Sequence, residues 1–96
     1  MFIISLTYHA PSISIEKHIE GHIAFLDKYY QKQKFICSGR KKPRTGGVIL
    51  AYNCTIDEIN EILKEDPFYI NKIATYEIIE FTPTKYDKHF EWYSRI

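Results

Sequence analysis

The chain has 96 residues, with 13 basic against 12 acidic side chains and a formal net charge of +1. That length points to one domain, expected over residues 1–96, and the near balance of charge argues against a general nucleic-acid binder, which carries a basic excess. A hydrophobic share of 45% with 26% charged residues is globular composition, and no apolar run approaches membrane-spanning length.

The opening MFIISLTYHAP has no basic n-region and carries Ser, Thr, Tyr and His within its apolar stretch. It reads as a strand rather than a signal peptide, and the expected location is the cytoplasm. Phe2, Ile4, Leu6 and Tyr8 alternate with Ile3, Ser5 and Thr7 at period two, and Pro11 ends the strand. Ser14 is the expected N-cap of a helix running to about Gln33, with Ile15, Ile19, His22, Ile23, Leu26 and Tyr30 on its apolar line. FICSG (35–39) and VILAYN (48–53) form a hairpin around the basic loop RKKPRTGG. Cys37 and Cys54 belong to no CxxC and are expected as small buried residues in or beside strands. Thr55 and Glu58 make a capping box for a second helix whose apolar face is Ile59, Ile62 and Leu63.

The stretch KEDPFY (64–69) then interrupts that helix. Pro67 suits the first position of a new helical turn and Asp66 its N-cap, so 66–72 is a short turn kinked from the helix before it. ATYEIIEFTP (74–83) is the last strand, and an aromatic, polar tail follows over 83–96.

The order β-α-β-β-α-β is a ferredoxin-like α+β arrangement. Two helices cover one face of a four-stranded sheet, yet both faces of the third and fourth strands are apolar. A second copy of the sheet is the simplest cover for the other face, so a homodimer is expected. Ile79, Phe81, Ile49 and Ala51 are the candidate interface. Parity leaves the converse set, Val48, Leu50, Tyr76 and Ile78, open.

His22 in HIAFLDKYY, the segment KFICSGRKKPRTGGVILA, and EDPFY followed by YEIIEF together resemble the YCII-related (YciI-like) family over roughly residues 1–86. The resemblance implies a ferredoxin-like subunit that pairs into a dimeric α+β barrel. It also implies an active site built on a His and an Asp, here His22 and Asp66. Relatives include enzymes that act on small ring compounds, among them dehydrochlorination of chlorinated aromatics and muconolactone isomerase-like chemistry. In the family pattern an Arg often follows the helix His. Here Ile23 stands there, and such a role would fall to Arg40 or Arg44.

His22 by itself is a core histidine with one satisfied hydrogen bond or a general base, since imidazole titrates near neutral pH. Capping alone explains Asp66, but a fixed capping carboxylate could also orient His22, as the third member of a catalytic triad orients its base. Ser38 lacks a nucleophile-elbow pattern, so a binding role suits it better than a nucleophilic one. Tyr8 and His9 end the first strand, where a cleft or an ordinary edge would explain them equally. Arg40, Lys41, Lys42 and Arg44 are a solvated hairpin tip or an anion clamp, with Arg44 beside Thr45-Gly46-Gly47 the favoured clamp. His18 and His22 have a chelating i,i+4 spacing, but HIEGH is not HExxH, and no metal or other cofactor is expected. Glu77 is an exposed or barrel-facing strand acid. The expected ligand is a small, anionic, ring-shaped or carbonyl-bearing molecule, with no nucleic acid or membrane partner. Proton transfer by His22 and Asp66 would make the chain an isomerase, lyase or dehydrohalogenase; the alternative is a non-catalytic metabolite-binding or interaction protein.

Overall fold

A computed structural model describes residues 1–95. Alternation in the first strand builds β1 (Phe2–Tyr8), whose Phe2, Ile4 and Leu6 are all buried. The helical segment that follows is broken, into α1 (Ser12–Lys17) and α2 (Ile19–Gln31). Pro11, not Ser14, occupies the cap position, and no side chain caps either piece. The break at His18 lets Ile15 dock into the core from α1 while α2 buries Phe25 and Tyr29 from a separate axis. The buried stripe of α2 is therefore rotated from the expected line: Ile23 is 49% exposed, and Phe25 takes its place.

β2 (Phe35–Arg40) and β3 (Gly46–Ala51) form the hairpin. Thr55 and Glu58 cap α3 (Ile56–Leu63) reciprocally, as the sequence indicates. Asp66 caps α4 (Pro67–Ile70), which leads into β4 (Ala74–Glu80). After Pro83 the chain makes a 3-10 turn (Lys88–Phe90) and a short α5 (Glu91–Ser94), and the Tyr93 ring packs edge-on against Tyr52 at 5.1 Å.

The strands lie in the order β2-β3-β1-β4 with every neighbouring pair antiparallel, the ferredoxin-like topology. Directly opposed residues share a face. Ile4 opposes both Ile49 and Ile78, Phe2 opposes Ala51, and Leu6 opposes Tyr76. Ile49, Ala51, Tyr76 and Ile78 thus join the core beneath the helices. Ile3 opposes Leu50 and Ile79, which with Val48 lie on the open face. Both interface sets expected from the sequence mixed the two faces, because parity within one strand says nothing about register across the intervening β1. The apolar part of the open face is Ile3, Val48, Leu50, Ile79 and Phe81, with Val48, Ile79 and Phe81 exposed. Cys37 opposes Leu50 on that face and is exposed rather than buried, since a one-residue irregularity in β2 reverses its direction; Cys54 is half-buried. Among the described residues no helix is long and apolar enough to cross a membrane.

Candidate active site

Asp66 is the only buried polar or charged side chain among the described residues, with no accessible surface at all. A carboxylate taken out of water is costly unless its lone pairs are filled. Three donors fill them. The Phe68 amide donates to Oδ1 at 3.0 Å, closing the helix cap. His22 Nδ1 lies 2.9 Å from the same oxygen, and the Tyr76 hydroxyl donates to Oδ2 at 2.7 Å. Capping and contact with His22 are thus made by one side chain.

His22 reaches Asp66 because α2 lies directly on Pro67. A β-carbon added at Gly21 would sit 2.9 Å from the Pro67 ring, so glycine is what allows the approach one residue before the histidine. The imidazole stacks on Phe68 with ring centroids 4.2 Å apart and planes 11° apart. Tyr8 packs edge-on against the same phenyl ring at 5.7 Å. An ionised carboxylate only accepts, so Nδ1 must be the protonated nitrogen of the neutral ring, and the lone pair falls on Nε2. Nε2 has no hydrogen-bond partner among the described residues, and no buried side-chain polar atom is without one, so Nε2 is accessible.

His22 lines a cavity of about 150 Å3 between α2 and the β1–β3–β2 part of the sheet. Tyr8, Ser38 and Arg40 line that cavity with His22, among apolar walls from Leu6, Ile19, Leu26 and Ile49. Ser38 and Arg40 owe their direction to the β2 irregularity. Phe35 opposes Ala51 but Cys37 opposes Leu50, so one residue is extra, and Ser38 opposes Ile49 and Arg40 opposes Gly47 on the helix side. The Ser38 hydroxyl is tied to the Tyr30 hydroxyl at 2.6 Å. On the floor, Gly46 lies so close to β1 that an added β-carbon would fall 1.8 Å from the Leu6 carbonyl oxygen. His22, Asp66, Ser38, Arg40 and Tyr8, all candidates from the sequence, are therefore gathered at one place.

Arg44 is not among them. It donates to Glu16 at 2.8 Å and lines a neighbouring recess with Thr7, Tyr8 and Ser12. That pairing keeps its guanidinium pKa raised, and its charge is already partly answered. Arg40 has no ion-pair partner among the described residues. Lys41 donates to Thr7 Oγ1 at 3.3 Å. His9 pairs with Thr75 at 2.7 Å, and Glu77 is exposed on the open face. His18 is the residue of the helix junction and His22 lies within α2, with their Nδ1 atoms toward Asn71 and Asp66 respectively. No group of three metal-ligating side chains occurs among the described residues.

Tyr76 is the participant that sequence reasoning missed. Its pKa is raised strongly, by burial first and then by the Asp66 carboxylate, so it remains a phenol and a donor. Its parity with Ile78 was visible in the sequence; its place opposite Leu6, beneath the helices, required the register.

The model of the YCII-related domain matches residues 1–82. No curated protein matches in sequence. Among solved structures, 5-chloro-2-hydroxyhydroquinone dehydrochlorinase from Burkholderia phenoliruptrix AC1100, in complex with 2,5-dihydroxybenzoquinone, is similar with a TM-score of 0.72 at 20% identity, over 92% of this chain and 96% of that chain. That likeness is one of fold.

Proposed function

The chain belongs to the YCII-related family, and we propose that it is a small-molecule enzyme in which His22 is the general base and Asp66 its orienting partner. The observation that carries this reading is the 2.9 Å contact between Asp66 Oδ1 and His22 Nδ1, which leaves Nε2 unengaged on a residue that lines the cavity. A base must lie within hydrogen-bond reach of the proton it takes, and only Nε2 meets that condition.

In the proposed step a C–H bond next to a carbonyl breaks, its electron pair moves into the carbonyl as an enolate, and the proton passes to Nε2. The resulting imidazolium faces the Asp66 carboxylate, which stabilises it. Return of the proton to another carbon gives isomerisation; expulsion of a leaving group such as chloride from the enolate gives elimination. Arg40, which has no acidic partner among the described residues, suits the substrate's negative group, and Ser38, positioned by Tyr30, suits a carbonyl or hydroxyl. A cavity near 150 Å3 is of the size that accepts one six-membered ring, which matches the scale of the quinone bound by the solved relative.

We further propose that a second copy covers the open sheet face, where Val48, Ile79 and Phe81 are 38%, 48% and 37% exposed. A contiguous apolar patch of this kind marks an interaction surface. The test of the catalytic reading is a thermal-shift screen of small ring-shaped and carbonyl acids, since a ligand of the native state raises its apparent stability. Turnover of the hits is then measured in the parent and in His22→Ala. Loss of about 10²–10⁴-fold in rate is expected. Hits that bind without turnover, and as well to His22→Ala, would instead support a metabolite-binding protein.

A further inference from the structure

A second, larger cavity of about 720 Å3 lies along the outer edge of β4, and Tyr76, whose hydroxyl donates to Asp66, is among its lining residues. Sheet order leaves that edge unpaired. Two features distinguish it from a plain edge groove. Its wall holds a pair of aromatic rings, Tyr69 and Tyr76, with centroids 5.8 Å apart. Its rim holds two ammonium groups, Lys64 and Lys72, and no carboxylate is among its lining residues. Lys64 is answered by Glu61 at 2.9 Å, whereas Lys72 has no acidic partner among the described residues. Lys72 also occupies the left-handed region, φ 55°, just after α4.

We infer that this edge cavity is a second small-molecule site, for a planar aromatic anion, and that Tyr76 links its occupancy to His22. The volume lies in the range of ordinary ligand sites. The rings offer a stacking wall, and the uncompensated ammonium supplies the opposite charge. The link is a chain of contacts already made: the Tyr76 ring lines the edge cavity, its hydroxyl donates to Asp66 Oδ2, and Asp66 Oδ1 holds His22 Nδ1. An anion that draws the Tyr76 hydroxyl toward itself removes one of the three donors on Asp66, leaving the carboxylate to interact more strongly with the imidazole. The inference concerns a different cavity from the one next to Nε2 and stands whether or not His22 is a base.

The experiment is a titration of the isotopically labelled full chain with 4-hydroxybenzoate, read by NMR. Saturable shifts are expected at Asn60, Tyr69 and Lys72, accompanied by a change in the imidazole nitrogen signals of His22. Lys72→Gln should weaken binding about tenfold. Tyr76→Phe keeps the stacking ring but removes the hydroxyl, so it should weaken binding and abolish the response at His22. Absence of saturable shifts at the edge residues overturns the inference. So do shifts confined to Ser38, Arg40 and Gly47, which would place the probe in the other cavity, or an unchanged affinity in Lys72→Gln. Inorganic phosphate binding as tightly as the aromatic acid would show a bare charge sink and would also overturn it. Lys72 is an exposed side chain, so that variant tests the site even if Tyr76→Phe folds poorly.

Discussion

Replacing Asp66 by Asn and by Ala separates the two roles of this side chain. In Asp66→Asn, the amide oxygen can still accept from the Phe68 amide and from His22 Nδ1, the two bonds now made by Oδ1. The amide nitrogen takes the place of Oδ2 and donates to Tyr76, whose hydroxyl turns to accept. Every buried group keeps a partner, and the loss is mainly the ionic share of the bonds, about 1–2 kcal/mol. Asp66→Ala removes the cap, about 1 kcal/mol, and strands the Tyr76 hydroxyl and His22 Nδ1 at about 1–3 kcal/mol each. Allowing for non-additivity, about 3–5 kcal/mol is expected, or a fall of at least about 12 °C in Tm for a domain of this size. Urea unfolding of the three proteins, with m-values compared to check the unfolded state, measures the difference. Equal losses below about 1 kcal/mol in both variants would refute the reasoning, because a buried carboxylate with three donors cannot be removed so cheaply.

Gly21→Ala gains about 1 kcal/mol of helix propensity but drives a methyl into the Pro67 ring; a net loss of stability is expected, together with weakened contact between His22 and Asp66, seen as changed imidazole nitrogen shifts. Arg40→Gln should weaken an anionic ligand of the His22 cavity about tenfold, while Arg44→Gln, already paired with Glu16, should change it less than about threefold; calorimetric titration of both variants decides between them. Tyr76 has its pKa raised in the fold, so its contribution is fully present below about pH 10, the unfolded phenol value, and declines above it as the unfolded chain ionises. Stability measured across alkaline pH should therefore fall less steeply in Tyr76→Phe than in the parent.

Local chemistry was legible in the sequence, and cross-strand geometry was not. Asp-Pro after a helix and the Thr55–Glu58 spacing each specify a cap through neighbours in the chain, and both caps form where those residues indicated. The ferredoxin-like arrangement followed from element order alone. The direction of Ser38 and Arg40 did not, because an irregularity between Phe35 and Cys37 reverses the parity of β2, and nothing in FICSGR marks it. Tyr76 escaped notice for the same reason: its partner Asp66 is ten residues away, and only the register of β4 against β1 brings the phenol under the helices. Gly21 was visible in HIEGH, but its significance is contact with Pro67, a residue of another helix. Arg44 looked the better anion clamp until Glu16, from α1, was seen to hold it.

The central claim is that Asp66 fixes His22 with its proton on Nδ1 and its lone pair on Nε2, beside the cavity. Nitrogen-15 NMR of the histidine rings under conditions where His22 is neutral tests it most directly, because the two tautomers give distinct shift and coupling patterns. A single Nδ1-protonated form is predicted in the parent protein, giving way to a mixture in Asp66→Ala. An Nε2-protonated ring in the parent, or a pattern that Asp66→Ala leaves unchanged, would contradict it.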